Sequence, residues 1–348
     1  MAPKPVRPEP DMASPQPAFT SLTEHVTPLE AGAHVVAAAF LGDRPALVLA
    51  EGGILMGAAG AQLLHEPHAG GGILVATADC ATLVTGGDDG RVVRTAQDGT
   101  SEVLGDEKGR WIDALAASPS GALAWSAGKR VTARDDRGRL RQLDTPSTPQ
   151  GLAFAPKGYR LAFSHYGGAT LWFPNTETAP ERLEWKGSHL DITWSADGRF
   201  VVTSMQENAL HGWRLPEKAD MRMSGYPAKT RSFSWSHDGA WLATSGADAA
   251  IVWPFASKEG PTGKPPRECG VRPAKVSRVA FHPGALVLAI GYEDGFLMLT
   301  RLTDAAELLV RRPDPAGGPV TALAWDKRGR HLLFGTDGGA AGVLALPG

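Results

Sequence analysis

The stretch FSWSHDGAWLATS, Phe233 to Ser245, decides the fold. It reads as a short apolar strand, a polar turn ending on glycine, and a second apolar strand. The phrase returns as LAASPSGALAWSA from Leu115, LAFAPKGYRLAFS from Leu152 and ITWSADGRFVVTS from Ile192. It returns again as VAFHPGALVLAIG from Val279 and LAWDKRGRHLLFG from Leu323. A period of about forty residues marks a repeat architecture, in which each copy buries its apolar faces against its neighbours.

Aligned on the turn glycine, the copies extend toward the N-terminus. The column holds Arg44, Cys80, Gly121, Gly158, Gly198, Gly239, Gly284 and Gly329, at intervals of 36 to 45 residues. Arg44 and Cys80 stand where glycine is usual, so the first two units are degenerate; the seventh turn, HPG, is one residue short. In unit five, HLDITWS, RFVVTS and ALHGWRL read as three strands and ADMRMS as a weaker fourth. Short strands with regular turn signals, and no capped 3.6-residue apolar stripe, make the chain all-β.

Apolar content falls from the first two strands to the fourth, where RLRQLD, ERLEW and ELLVRR carry charge. That gradient fits a β-propeller blade, with inner strands packed between blades and an outer edge in water, where charge discourages edge-to-edge pairing. Phe40, Phe154, Trp194, Trp235, Phe281 and Trp325 recur at one point of the first strands. They read as inter-blade core, each directed at the next blade.

Eight four-stranded antiparallel blades are expected, starting near His34, Ile73, Trp111, Gln150, His189, Arg231, Lys275 and Val320. The number drops to seven if unit one or two does not complete a blade. Fourth strands follow the first seven units, but after the eighth the sequence ends at LALPG. The unpartnered stretch LTEHVTPLE, residues 22–30, is therefore predicted to pair with the third strand of unit eight, an N-terminal strand closing the last blade. Residues 1–20 are proline-rich without apolar periodicity and read as a disordered tail ahead of a single propeller domain over 21–348.

Of the 348 residues, 43% are hydrophobic and 21% charged, and the formal net charge is −2. That balance makes no electrostatic bid for nucleic acid, so no nucleic-acid partner is expected. The two cysteines, Cys80 and Cys269, lie in distant repeats, which argues against a disulfide framework and for a reducing compartment. The N-terminus lacks the apolar core of a secretory signal, and no run approaches the roughly 18 apolar residues of a membrane helix. The expectation is a cytoplasmic protein, monomeric by itself, with no membrane partner.

These features resemble the WD-repeat family of β-propellers. In that family a His precedes the first strand, a Ser or Thr sits on the second, an Asp lies in the turn before the third, and a Trp-Asp pair ends the third. The first groups form a buried network within a blade. By that resemblance unit six supplies Asp248 and Trp253, with Lys229 or Thr230 at the histidine position. Unit five supplies His189 and Trp213, with Asn208 for the aspartate, and unit four has Trp172 with Gly167 or Gly168 in the turn. Unit two has Asp88-Asp89-Gly90, while units seven and eight keep Asp294 and Asp337 without tryptophan. No unit ends in Trp-Asp. Asp89, Asp248 and Asp294 read as turn-stabilising groups, because such side chains accept nearby backbone amides. The resemblance implies a non-catalytic scaffold that binds a protein partner through the rim loops of the propeller.

No nucleophile elbow, phosphate loop, HExxH or dinucleotide fingerprint occurs, and no cofactor is implied. The run His65-Glu66-Pro67-His68, with His25 and His34 earlier, supplies zinc-ligand residue types. Pro67 interrupts it, however, and the pair is expected at the surface. Among positions that would line the central channel, the polar exceptions are Asp113, His189, Asp191 and Arg278. They come from three units, His189 and Asp191 sharing unit five, and converge only if all point inward. They carry the alternative reading, a propeller enzyme of hydrolase or lactonase type, or a metal-binding protein, working at the channel mouth. The partner-binding candidates are Arg110, Trp111, His189, Arg231 and Lys275, in the connections that enter the first strands. Loops on a rigid scaffold carry recognition, and Arg and Trp are favoured hot-spot residues. The basic, proline-rich connection over 256–275 reads as a surface loop.

Overall fold

The turn of the repeated phrase closes on its own side chains. In unit six the Ser236 hydroxyl donates to Asp238 (2.5 Å) and accepts the Trp241 amide (3.0 Å), while Gly239 takes φ 68°. Unit five repeats this with Ser195, Asp197 and the Phe200 amide (2.7 and 2.9 Å) around Gly198 at φ 76°. The hydroxyl and carboxylate satisfy the turn, and glycine supplies its left-handed residue. Where unit one has Arg44 in the glycine column, Gly42 takes the positive φ two residues earlier and Arg44 starts the next strand.

The computed structural model describes residues 20–78, 81–314 and 316–347, so Cys80 and residues 1–19 of the tail expected over 1–20 lie outside the described residues. Among the described residues, regular structure is strand throughout apart from one 3-10 turn at Thr23–His25. The first strands are Val35–Leu41, Ile73–Ala78, Ile112–Ala117, Gly151–Phe154, the second half of Glu181–Trp194, Phe233–Trp235, Val276–Phe281 and Val320–Trp325. The second strands are the most enclosed, with every residue of Leu123–Ala127 and Phe200–Met205 buried. The outer strands, such as Leu140–Asp144, are largely exposed. The burial gradient expected for blades is therefore present.

Seven hydrogen-bonded sheets hold these strands, and one of them has six strands. That sheet carries units four and five together, because two long runs each serve twice. Leu161–Trp172 passes through Gly167 and Gly168, both at positive φ, and its first half pairs with Gly151–Phe154. Its second half pairs with the start of Glu181–Trp194. That run passes Gly187 (φ 118°) and then pairs with Phe200–Met205 as the first strand of unit five. The count of seven thus belongs to continuous sheets and the count of eight to repeat units. The apolar core agrees with eight units: each of eight hydrophobic clusters fills one seam between consecutive units, including the seam from unit eight back to unit one.

Closure comes from the N-terminal strand. Val26–Glu30 runs antiparallel to Ala340–Ala345, from Val26 opposite Leu344 to Glu30 opposite Ala340, as expected. The segment reaches further than expected. Thr20–Ser21 adds in parallel to Glu307–Arg311 of unit seven, and the Leu22 amide donates to the Leu309 carbonyl (2.7 Å). Thr20 thus belongs to the propeller, not to the tail. Leu22 is buried in the seam between units seven and eight, and Leu29 in the seam between eight and one.

The first-strand tryptophans do pack between units, but they reach the preceding unit, not the next. The indole N–H of Trp194 donates to Ala153 O (3.0 Å), that of Trp235 to Thr193 Oγ1 (2.9 Å) and that of Trp325 to Ala280 O (3.1 Å). Each tryptophan therefore both fills a seam and satisfies its polar edge across it.

Within the units, buried polar side chains tie strands together. In unit two the fully buried His68 contacts Asp89 through Nδ1 (3.1 Å) and Thr85 through Nε2 (2.8 Å). The expectation of two surface histidines at His65 and His68 therefore fails for His68, because the chain turns inward after Pro67. Asp89 also accepts the Arg91 amide (2.9 Å). In unit six Tyr226, not Lys229 or Thr230, takes the histidine position: its hydroxyl meets Thr244 Oγ1 (2.7 Å) and accepts the Trp253 indole (2.7 Å). In unit three Glu107 accepts Trp125 (2.7 Å) and Thr132 (3.3 Å). In unit eight the expected turn acid Asp337 pairs with His34.

Unit five departs from this economy. His211 is fully buried, neither ring nitrogen has a hydrogen-bond partner, and its ring stacks on Trp185 with centroids 4.0 Å apart. Burial pushes its pKa down from 6.5 to about 4, and burial also lowers those of His68, His165 and His189.

Two outcomes follow from this architecture. Deleting residues 1–33 removes the burial of Leu22 and Leu29 and should lower the melting temperature by about 10 °C or more, given roughly 2 kcal/mol per buried leucine plus the lost strand pairing. Deleting 1–18 should leave it nearly unchanged; equal melting of the two truncations would refute the latch. The histidines, meanwhile, bind protons more readily unfolded than folded. Stability is therefore full above the ordinary histidine pKa of 6.5 and falls as pH drops toward 4, with His211 contributing on the order of 3 kcal/mol. His211→Phe should flatten that part of the decline in urea midpoints measured across this range.

Candidate binding site at the channel mouth

The site is built by a backbone irregularity that the repeat copies along with its strands. In six units the ladder between the first and second strands slips at the start of the first strand: at 35/37, 73/75, 112/114, 189/192, 276/278 and 320/322. A bulge re-aims the extra side chain and strengthens the local twist. The residues at or beside these slips are Val36, Leu74, Asp113, Asp191, Arg278 and Thr321, and all six line cavities at the end of the ring where the first strands begin. The flanking residues alternate back into the seams: Ile112 and Ala114 are buried on either side of Asp113.

The axial cavity has a volume of about 650 Å³, and its wall changes character around the ring. Units one and two present Val36 and Leu74, units three and five present Asp113 and Asp191, and units six and seven present Arg231 and Arg278. A second cavity of about 730 Å³ shares Arg231 and Arg278 and adds Lys229 and Glu293. Gly151 sets the approach of unit four to unit five here. A Cβ on it would stand 2.7 Å from the Asp191 Cα and 2.9 Å from the Ile192 amide nitrogen, so any side chain would push the two first strands apart.

Arg278 is fixed by backbone carbonyls. Its Nε donates to Thr321 O (2.6 Å), and its Nη1 to Arg231 O and Ser277 O (3.3 Å each), so one guanidinium spans units six, seven and eight. Burial lowers its pKa, with the Asp191 charge acting the other way. Burial raises the pKa of Asp113 and of Asp191, the latter against the Ile192 amide that its Oδ1 accepts (2.8 Å). Among the described residues, no carboxylate lies within 4.0 Å of the Arg231 or Arg278 guanidinium, and no cation within 4.0 Å of Asp113 or Asp191.

Of the four polar residues considered for the channel, three therefore share its wall and the fourth does not. His189 is fully buried inside unit five, with Nδ1 at Thr203 Oγ1 (2.7 Å) and Nε2 at Trp185 O (3.1 Å). Its role is the blade network, which removes it from the rim candidates as well. The other rim candidates, Arg110, Trp111, Arg231 and Lys275, are exposed, Trp111 at 61%. Cys269 is buried in the outer strand Arg267–Cys269, so the connection read as a loop over 256–275 contains a short ordered strand.

Sequence reasoning missed a further group beside unit four. Tyr166, 70% exposed, lies beside Gly167 within the long strand Leu161–Trp172 and shares a cavity of about 610 Å³ with Pro146, Arg182, Trp185 and Lys186. The signal was present as an aromatic beside paired glycines.

Comparison with known proteins agrees with this geometry. The family model described as WD domain, G-beta repeat matches residues 221–253, from the last strand of unit five to Trp253 of unit six. That segment contains Tyr226, Thr244 and Trp253, the hydrogen-bonded set of unit six. The chain is 24% identical over 172 residues to Periodic tryptophan protein 2 of Saccharomyces cerevisiae (strain ATCC 204508 / S288c); the match covers 42% of this chain and 18% of that protein's length. Among solved structures, the computationally designed Ika8 protein superposes with a TM-score of 0.75 at 17% identity, covering 91% of this chain and 98% of the other, a likeness of fold. The matched repeat, the similarity to the yeast protein and the closed ring of four-stranded units together support reading the chain as a β-propeller of WD-repeat type.

Proposed function

We propose that the protein is a non-catalytic interaction scaffold that holds a protein partner on the rim where its first strands begin. The observation that carries this reading is Trp111, 61% exposed, in the connection into unit three beside the exposed Arg110. A tryptophan left in water on a rigid ring gains most by being covered, and central Trp and Arg anchors supply most of the energy of a typical interface. Arg231 and Lys275 extend the surface over units six and seven, so an acidic partner surface would complement it. A cytoplasmic location and a monomeric free state are part of the same reading. The alternative, a propeller enzyme or metal-binding protein at the channel mouth, loses one of its four polar residues, since His189 is enclosed in unit five, which supports the recognition reading.

Trp111→Ala combined with Arg231→Ala should abolish co-purification of the partner from the native cell while leaving the melting temperature nearly unchanged, because both side chains are exposed. Undiminished recovery of the same partner would count against this face.

A further inference from the structure

The axial cavity holds two acids and two bases that, among the described residues, form no ion pair with one another within 4.0 Å. Asp113 and Asp191 stand on units three and five, Arg231 and Arg278 on units six and seven, and all four line one space of about 650 Å³. Arg278 cannot swing toward an acid, because its Nε and Nη1 are committed to the carbonyls of Thr321, Arg231 and Ser277. Asp191 is held equally firmly, with Oδ1 on the Ile192 amide and its backbone packed against Gly151. The scaffold keeps these charges apart: Asp191 and Arg278 act on each other only from beyond ion-pair distance, and partly desolvated charges without an adjacent counter-charge are costly. The same wall carries an apolar sector, Val36 and Leu74, and a polar one, Gln150 and Gln206.

A ligand complementary to this wall carries both signs of charge with an apolar portion. We propose that the axial cavity binds a small zwitterion of the amino-acid and short-peptide class, its carboxylate on Arg231 and Arg278 and its ammonium at Asp113 and Asp191. Arg231 can present paired donors to a carboxylate, while Arg278, with Nε and Nη1 given to carbonyls, offers Nη2 and its charge; charge-assisted hydrogen bonds are the stronger kind. Val36 and Leu74 receive an apolar side chain. The ring position of the groups favours a peptide over a single amino acid: unit three faces unit seven across the axis, whereas the amine and carboxylate of one amino acid are separated by a single carbon.

Isothermal titration of the purified full chain, without any protein partner, tests this with L-leucine, L-leucyl-L-leucine, and the dipeptide blocked as its N-acetyl or C-amide form. Saturable binding of the free dipeptide, weakened about tenfold or more by either block, is expected. Stronger binding of L-leucine than of the dipeptide would assign the site to free amino acids. In Asp113→Asn the acetyl block should lose its effect, and in Arg231→Gln the amide block should lose its effect, both variants being near-isosteric and checked for unchanged melting. Lack of saturable binding by either free ligand at millimolar concentration, or equal affinity for free and blocked dipeptide, overturns the proposal. The comparison of blocked and free ligands on the unaltered chain keeps the test decisive if a variant misfolds. Since no partner is present, failure leaves the rim reading standing.

Discussion

Every unit of this protein depends on its neighbours to cover it. A four-stranded unit has two apolar faces and no internal layer to bury them, so its core exists only as half of two seams. With eight hydrophobic clusters for eight seams, no unit is terminal and every apolar face is covered only when the ring closes. Closure rests on Val26–Glu30 completing the sheet of Ala340–Ala345, with Leu22 and Leu29 buried in the two adjoining seams. The tryptophan bonds from Trp194, Trp235 and Trp325 back to the preceding unit set spacing as well as contact, because an indole edge must reach its acceptor to be buried without loss.

Inside the units the polar networks obey donor and acceptor geometry more than residue identity. A His–Asp–Thr set in unit two, a Trp–Tyr–Thr set in unit six and a Trp–Glu–Thr set in unit three each tie a strand to the segment entering the unit. This explains why the family's motif is diluted while its architecture is intact: a phenol or carboxylate that reaches the same space satisfies the same buried groups. His211 is the exception, a ring held by stacking without hydrogen bonds, Asp220 standing 3.8 Å from Nε2, with burial opposing its protonation.

The mouth of the channel follows from the same repetition. The register slip at the start of six first strands gives most units a side chain at the axis, and that position is less enclosed by seam packing than its buried neighbours. Structurally equivalent positions accordingly vary from Val36 and Leu74 to Asp113 and Asp191, where the seam positions stay apolar. Variation superimposed on a strict repeat is where recognition chemistry accumulates in a scaffold of this kind.

The fold was legible because its causes are local. Turn glycines such as Gly239, the apolar first and second strands, the charged outer strands and the stranded segment over 22–30 all act within a few residues or through a period that can be counted. The period also located the first-strand tryptophans, though not the direction in which they reach, since that depends on how one unit leans on another. The site was less legible for the same reason. His68 and His189 look like ligand candidates in one dimension, and only the path of the chain after Pro67 and through Trp185 encloses them. Asp113, Asp191, Arg231 and Arg278 are spread over four units, and their meeting in one cavity required the ring, the bulges and the close approach at Gly151. By itself, then, the sequence determined the repeat, its strands and the latch, because periodicity and turn chemistry are properties of neighbouring residues. Which charged groups face a common space was decided by tertiary structure alone, because closing a ring brings together residues that no local interaction relates.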